Sequence, residues 1–178
     1  MSNENQIIDK DDIGNGETEY IIGVDRFVFL YIVTFGMYGA WWTYKSWTYY
    51  KIKDNLDIMP AARAIFSIFF LNELFHKIQN QAKESGYEES YLPELLFIGF
   101  IVFNLTGRLP EPYWMISLLG IICLIQPFKA LNYAKQHSNA HVLEQESFNQ
   151  RQMILVVVCL FIWALVIIGL LGNKNFDI

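Results

Sequence analysis

Acidic and histidine residues at helical spacing are the part of this chain with the clearest capacity for chemistry. Glu73 and His76 are three positions apart, so a helix would present a carboxylate and an imidazole on one face. Such pairs hold the metals of di-iron helical bundles. His137 and His141 are four positions apart, and Glu144 follows three positions later. One hypothesis is therefore a metal-dependent membrane enzyme, with these candidate ligands: Glu73, His76, His137 and His141.

The same residues have a simpler interpretation as solvated side chains on helix surfaces. A di-iron site would also need carboxylates at a matched depth, and the long apolar segments contain none. We therefore expect no metal, no cofactor and no catalytic residue. The two cysteines, Cys123 and Cys159, lie within apolar segments and are expected to act as small packing residues.

The positions of all of these residues depend on the long apolar segments of the chain. Met153 to Gly172 is a run of twenty residues without a charge, which as a helix covers roughly 30 Å, the thickness of a bilayer's hydrocarbon core. Segment 60–79 has only a short uncharged run and predicts an interfacial or re-entrant helix. Arg108 to Pro112 is a short polar stretch with two prolines, which predicts a tight turn between two spans. The predicted spans are 27–47, 92–107, 113–129 and 153–172.

The predicted fold class is an all-α membrane protein with four transmembrane helices plus one interfacial or re-entrant helix. Only 17% of the residues are charged, whereas soluble domains usually have about 25%. Residues 1–25 are strongly acidic and lack apolar periodicity, so they predict a disordered tail. Residues 26–178 then form a single transmembrane domain. No basic patch with interleaved aromatic residues indicates a nucleic-acid partner.

The end of the first predicted span is rich in aromatic and basic residues. Amphipathic rings collect where hydrocarbon meets headgroups, so Trp41, Trp42 and Trp47 are predicted interface anchors. Cations next to them would attract anionic lipid headgroups by about 1 kcal/mol each, or bind a partner protein. The predicted contacts of this kind are Lys45, Lys51, Lys53 and Arg63.

Lysine and arginine residues decide the orientation, because they favour the cytoplasmic side. With four spans, nine of these residues lie on one side and four on the other, which places both termini outside. If segment 60–79 also crosses, the N-terminus moves inside, and the division becomes a less decisive seven against six. Both alternatives place the C-terminus outside the cytoplasm.

Thr34-Phe35-Gly36-Met37-Tyr38-Gly39 interrupts the first apolar segment. Gly36 and Ala40 form a small-xxx-small pair, which favours close packing of two helices. The alternative interpretation is a kink that lines the path of a ligand.

The same run, continued as Thr34 to Trp47 (TFGMYGAWWTYKSW), resembles a signature of small bacterial multi-pass inner-membrane proteins. Ile58 to Phe70 and Leu109 to Leu119 are similar to segments of the same proteins. The resemblance covers about two thirds of the chain and excludes the acidic tail. It implies a bacterial inner-membrane location. Because the family has no established activity, it implies no catalytic residues.

Three functions remain open at the level of sequence. The first is a membrane anchor, sensor or assembly partner for a cytoplasmic protein, which contacts lipids and self-associates as a homo-oligomer. The alternative is a channel or transporter subunit, although the spans lack an embedded carboxylate and the chain has no internal repeat. The lesser alternative is the metal-dependent membrane enzyme.

Overall fold

The chain folds as a bundle of helices with one pair of very short strands. A computed structural model describes residues 19–138, 142–144, 148 and 150–173. The strands β1 (Glu19–Ile21) and β2 (Val142–Glu144) pair in parallel. The α-helices are α1 (Val24–Val33), α2 (Met37–Lys53), α3 (Pro60–Ile65), α4 (Ser67–Glu84), α5 (Pro93–Thr106), α6 (Ile121–His137) and α7 (Gln150–Asn173), and a 3₁₀ helix (Tyr113–Gly120) leads into α6.

Two helical segments of the described chain are long and apolar enough to cross a membrane, namely Tyr113–His137 and Gln152–Leu170. The helical class is therefore confirmed, but four transmembrane helices are not supported. The apolar helix α5 has only 14 residues. The first predicted span, 27–47, is divided between α1 and α2 and is not one continuous helix.

The division between α1 and α2 is a chain reversal. Phe35 and Gly36 both have positive φ, 54° and 85°, so the backbone leaves the right-handed helix for two consecutive residues. The Gly36 N–H donates to the Tyr31 carbonyl at 2.8 Å and closes the end of α1. The Thr34 hydroxyl donates to the Leu30 carbonyl at 2.7 Å and accepts from the Tyr38 N–H at 3.0 Å. One side chain thus joins the end of α1 to the start of α2.

Ring contacts show that α1 and α2 form an antiparallel hairpin, called the first hairpin below. Phe27, early in α1, lies 5.7 Å from the ring of Trp42, which is well into α2. Phe27 also stacks on Phe128 of α6 at 4.1 Å. The Asn132 amide, further along α6, donates to the Ile22 carbonyl at 3.0 Å. The start of α1 and the end of α2 therefore lie at the same end of the bundle.

A second hairpin consists of α3 and α4, which meet at Phe66. The Arg63 guanidinium in α3 pairs with the Glu73 carboxylate in α4 at 2.9 Å. Lys77, further along α4, pairs with Asp54 before α3 at 3.1 Å. The chain therefore returns to the level at which it left α2. Segment 60–79, predicted as one helix, is two helices within this hairpin.

The third hairpin consists of α5 followed by the 3₁₀ helix and α6. Gly99 of α5 lies against Cys123 of α6, because a Cβ on Gly99 would come within 2.9 Å of the cysteine sulfur. Gly107 lies beside Ser117 in the same way. The predicted hairpin of 92–107 and 113–129 therefore forms, with a 3₁₀ helix in the first half of its second arm.

The two ends of the bundle have different surfaces. The polar end contains the ends of α2, α4 and α6, where Trp47, Phe75 and Leu131 are buried beneath exposed polar and charged residues. The apolar end contains the turns of the three hairpins. There the exposed side chains are mostly large and apolar, as in Ile65 and Phe69, which are 77% and 73% exposed. Such a surface is costly in water and stable in lipid.

Helix α7 lies along the first hairpin with little of its own surface covered. From Gln152 to Leu170 no side chain is fully buried. The Trp163 indole N–H donates to the Val33 carbonyl at 3.1 Å, and its ring stacks on Phe35 at 4.6 Å. The contact satisfies a carbonyl left open where α1 ends.

The predicted disordered tail, 1–25, lies mostly outside the described residues. Its last part differs from the prediction, because Glu19–Ile21 pairs with Val142–Glu144 and α1 begins at Val24. Helix α6 ends at His137. His141 and the side chain of Glu144 lie outside the described part of the chain.

We expect Thr34→Val to destabilise the protein by about 2 kcal/mol, because it leaves the buried Tyr38 N–H without an acceptor. Thr48→Val is the matched control, since the Thr48 hydroxyl only donates to the Tyr44 carbonyl at 2.9 Å on an exposed face. Reversible unfolding in detergent measures both. Equal losses in the two variants would contradict the role of Thr34 in the reversal.

Candidate functional site

Each described candidate metal ligand has a partner of its own. The Glu73 carboxylate pairs with Arg63, and the His76 Nε2 lies 2.9 Å from a Glu94 carboxylate oxygen. The His137 Nδ1 lies 3.0 Å from the Tyr133 carbonyl, and its ring stacks on Tyr133 at 4.0 Å. Within the described residues no group of three His, Cys, Asp or Glu residues could hold a metal ion.

Of the three predicted interface anchors, only Trp41 is at the surface. It is 46% exposed, whereas Trp42 is 6% exposed and Trp47 is fully buried. Trp42 packs against Phe27 and Phe128 inside the bundle. The reason is the first hairpin, because the reversal before α2 turns these rings toward α1 and α6. Trp42 and Trp47 therefore stabilise the core.

The predicted cationic contacts are arranged around aromatic rings. The Arg63 guanidinium lies between the rings of Trp47 and Phe70, at 4.3 and 4.8 Å from their centroids. Two lysines behave similarly but at greater distance, with Lys45 5.7 Å from Trp41 and Lys53 5.9 Å from Tyr49. Lys51 is exposed. Arg63 is thus part of the fold, and the three lysines are open to headgroups or a partner.

A polar network that sequence analysis missed closes the polar end. The Gln79 amide donates to the Ser90 hydroxyl at 3.1 Å and to the Tyr91 carbonyl, which fixes the start of α5 against α4. The Tyr91 hydroxyl donates to the Phe75 carbonyl at 2.9 Å. Burial raises the pKa of Tyr91, so this hydroxyl keeps its proton. Only the three-dimensional contacts reveal the network, because glutamines and tyrosines carry no spacing signal.

The predicted small-xxx-small pair does not lie on one helix. Gly36 precedes α2 with its positive φ, and Ala40 is one turn inside α2. Both residues line a cavity of about 290 Å³. Their contact with another chain stays a prediction. The alternative interpretation, in which this segment lines the path of a ligand, stays a prediction as well.

The cavity lies between the turn of the first hairpin, the start of α4, the end of α5 and the 3₁₀ helix. Its polar lining residues are uncharged: Tyr31, Thr43, Ser67, Asn104 and Ser117. Three of these groups bond within their own helix, since the Thr43, Asn104 and Ser117 side chains donate to backbone carbonyls at 3.0, 2.8 and 2.7 Å.

Tyr31 differs from the other polar residues of the cavity. Its side chain is only 3% exposed, yet its hydroxyl has no hydrogen-bond partner among the described residues. The hydroxyl and the Asn104 amide nitrogen both face Gly120, where an added Cβ would lie 3.2 and 3.5 Å from them. The Tyr31 side chain lines the cavity, so a molecule held there can form a hydrogen bond with this hydroxyl.

No family model, characterised protein or solved structure matches this chain.

We expect Arg63→Met to destabilise the protein by about 1–2 kcal/mol, because it removes the stacking on two rings and the pair with Glu73. Arg63→Lys should have an intermediate effect, since an ammonium keeps the charge but not the planar stacking. Lys51→Met is the exposed control and should change stability by less than about 0.5 kcal/mol. Tryptophan emission during unfolding reports all three, and an Arg63→Met variant as stable as Lys51→Met would contradict this role.

Proposed function

We propose that this protein is a small integral membrane module whose apolar end is embedded in lipid and whose polar end projects into the cytoplasm. There it acts as an anchor, sensor or assembly partner for a cytoplasmic protein. The observation that carries the proposal is α7, in which no side chain from Gln152 to Leu170 is fully buried. A helix of this length that is apolar on every face is stable when lipid covers it.

The hairpins support a topology that differs from the four predicted spans. The first and second hairpins each begin and end at the polar end, so both would enter the bilayer and return to the same side. The third hairpin carries the exposed Arg108 and Glu111 at its tip. Charges are costly in hydrocarbon, which favours a tip that reaches water on the opposite side. Helix α5 is short, and local thinning of the bilayer would accommodate it.

This arrangement gives three crossings, made by α5, by the 3₁₀ helix with α6, and by α7. Eleven of the thirteen lysine and arginine residues then belong to the cytoplasmic side, and Arg108 and Lys174 belong to the other. That bias is stronger than the nine against four of the four-span topology, and it satisfies the positive-inside rule better. The N-terminus moves inside, and the C-terminus keeps its predicted place outside.

The polar end is the surface best suited to a protein partner. Its exposed residues carry both signs of charge, as in Lys51, Lys83 and Glu84. The exposed apolar end remains available for lipid and for self-association. A channel is less favoured, because none of the described residues that line the cavity between the hairpins is charged. The bacterial inner-membrane location proposed from the sequence resemblance agrees with this arrangement.

Single cysteines at Ser2, Lys53, Glu111 and Ile178, in a Cys123→Ala, Cys159→Ala background, test the topology. We expect an impermeant maleimide to label positions 2 and 53 only from the cytoplasmic face, and positions 111 and 178 only from the outer face. Intact spheroplasts and inverted vesicles provide the two faces. Labelling of positions 2 and 53 from opposite faces would show that the first hairpin crosses and would overturn the proposal.

A photo-crosslinking amino acid at Lys51, Lys83 or Gln136 tests the partner surface. We expect these positions to form one discrete adduct with a cytoplasmic protein in growing cells. We expect the same amino acid at Leu95 or Ile98 to form none, because those exposed side chains belong to α5, which lipid surrounds in this topology. Adducts at the α5 positions but not at the polar end would contradict the assignment of the docking surface.

A further inference from the structure

We propose that the cavity beside the first hairpin binds the head of an uncharged lipid that carries hydroxyl and ester carbonyl groups, of the monoacylglycerol type. The inference rests on the proposed membrane placement, and it gives the sensor role a class of ligand. The cavity is bordered by the reversal at Gly36 and by the end of the third hairpin. A bound head would therefore contact two hairpins at once.

The first argument is Tyr31, whose side chain is only 3% exposed and lines the cavity, and whose hydroxyl lacks a hydrogen-bond partner among the described residues. At this depth water is scarce, and an unsatisfied polar group is more costly than at a protein surface. A phenol hydroxyl can both donate and accept a hydrogen bond. An ester carbonyl or a hydroxyl group of a ligand can therefore satisfy it equally well.

The second argument is the neighbouring amide. The Asn104 side-chain nitrogen already donates to the Phe100 carbonyl at 2.8 Å, and its oxygen accepts no hydrogen bond from the described residues. This oxygen is thus open to a ligand hydroxyl. Tyr31 and Asn104 together offer two donors, the Tyr31 O–H and the second Asn104 N–H, and two acceptor oxygens, which fits a glycerol ester better than a purely apolar molecule.

The third argument is the space that glycine provides. Gly120 lies directly below both polar groups, and an added Cβ would come within 3.2 Å of the Tyr31 hydroxyl. The absence of that atom leaves room between the hydroxyl and the amide. Gly120 has an ordinary helical conformation, φ −53° and ψ −22°, so its backbone does not itself require glycine.

The charge of the lining excludes an anionic head. Among the described residues none that lines the cavity is charged. Transfer of a phosphate from water into this cavity would bury its negative charge with no cation beside it. That transfer is strongly unfavourable in a site of low dielectric. Exposed Met37 and Ala40 at the rim of the cavity offer an apolar surface for an acyl chain. The ligand thus combines an uncharged polar head with an apolar body.

The test uses the full chain in lipid nanodiscs with a photoactivatable monoacylglycerol, whose diazirine is on the acyl carbon nearest the ester. We expect saturable labelling of peptides within 31–43 and 100–120, with competition by unlabelled monoacylglycerol. Lysophosphatidic acid, which carries a phosphate on the same scaffold, should not compete. Tyr31→Phe and Asn104→Leu should each weaken labelling by about three- to tenfold, as expected for the loss of one hydrogen bond.

Tyr50→Phe is the matched control, because the Tyr50 hydroxyl likewise has no hydrogen-bond partner but is buried away from this cavity. It should label like the unaltered protein. Gly120→Ala provides a second variant that keeps both polar groups and only fills the space, and it should also reduce labelling. Unfolding in detergent shows that each variant is folded before labelling.

Several results would overturn the proposal. Labelling that does not saturate, or that is spread evenly along α7, would contradict a defined site. Equal competition by lysophosphatidic acid would contradict an uncharged head, and unchanged labelling of Tyr31→Phe would contradict the role of the Tyr31 hydroxyl. The absence of any label would mean that the cavity holds water only. The cysteine experiment distinguishes the two proposals. If the cysteines show the expected topology but the photoactivatable lipid does not label the cavity, the ligand proposal is refuted and the proposed membrane placement stands.

Discussion

The bundle depends on the reversal at Thr34-Phe35-Gly36. Two consecutive residues with positive φ would be costly in an unsupported chain, and hydrogen bonds from the Gly36 N–H and through the Thr34 hydroxyl hold them in place. This reversal converts a potential membrane span into the first hairpin. It also turns Trp42 into the core and places Tyr31 beside the cavity.

The reversal also explains the position of α7. Where α1 ends, its last carbonyls have no partner within the helix. The Trp163 indole bonds to one of them, and its ring stacks on Phe35 of the turn. A helix with almost no polar groups is thus held against the bundle by one indole and by the Gln152 contact with the Tyr38 hydroxyl at 3.2 Å. The rest of its surface is exposed and apolar.

Some features could be predicted because they depend on long stretches of composition. The helical class, the apolar helix near the C-terminus and the turn at Arg108–Pro112 follow from uncharged runs and paired prolines. The division of 27–47 could not be predicted from hydropathy, since α1 and α2 are equally apolar near their junction. The Thr34 to Gly39 motif did indicate an interruption of the helix. Its residues are equally compatible with close helix packing and with a kink, so the motif alone did not predict a chain reversal. The candidate site was anticipated only as the lining of a ligand path.

The sequence by itself determined that this chain is helical and that its last helix is apolar on every side. These properties follow from the composition of long segments and do not depend on contacts with other segments. The tertiary structure alone decided which aromatic rings are buried, which cations contact rings or carboxylates, and that Tyr31 and Asn104 both lie beside Gly120. Those outcomes depend on contacts between segments far apart in the chain. A turn of two residues redirects every side chain that follows it, so its effect cannot be read from local pattern.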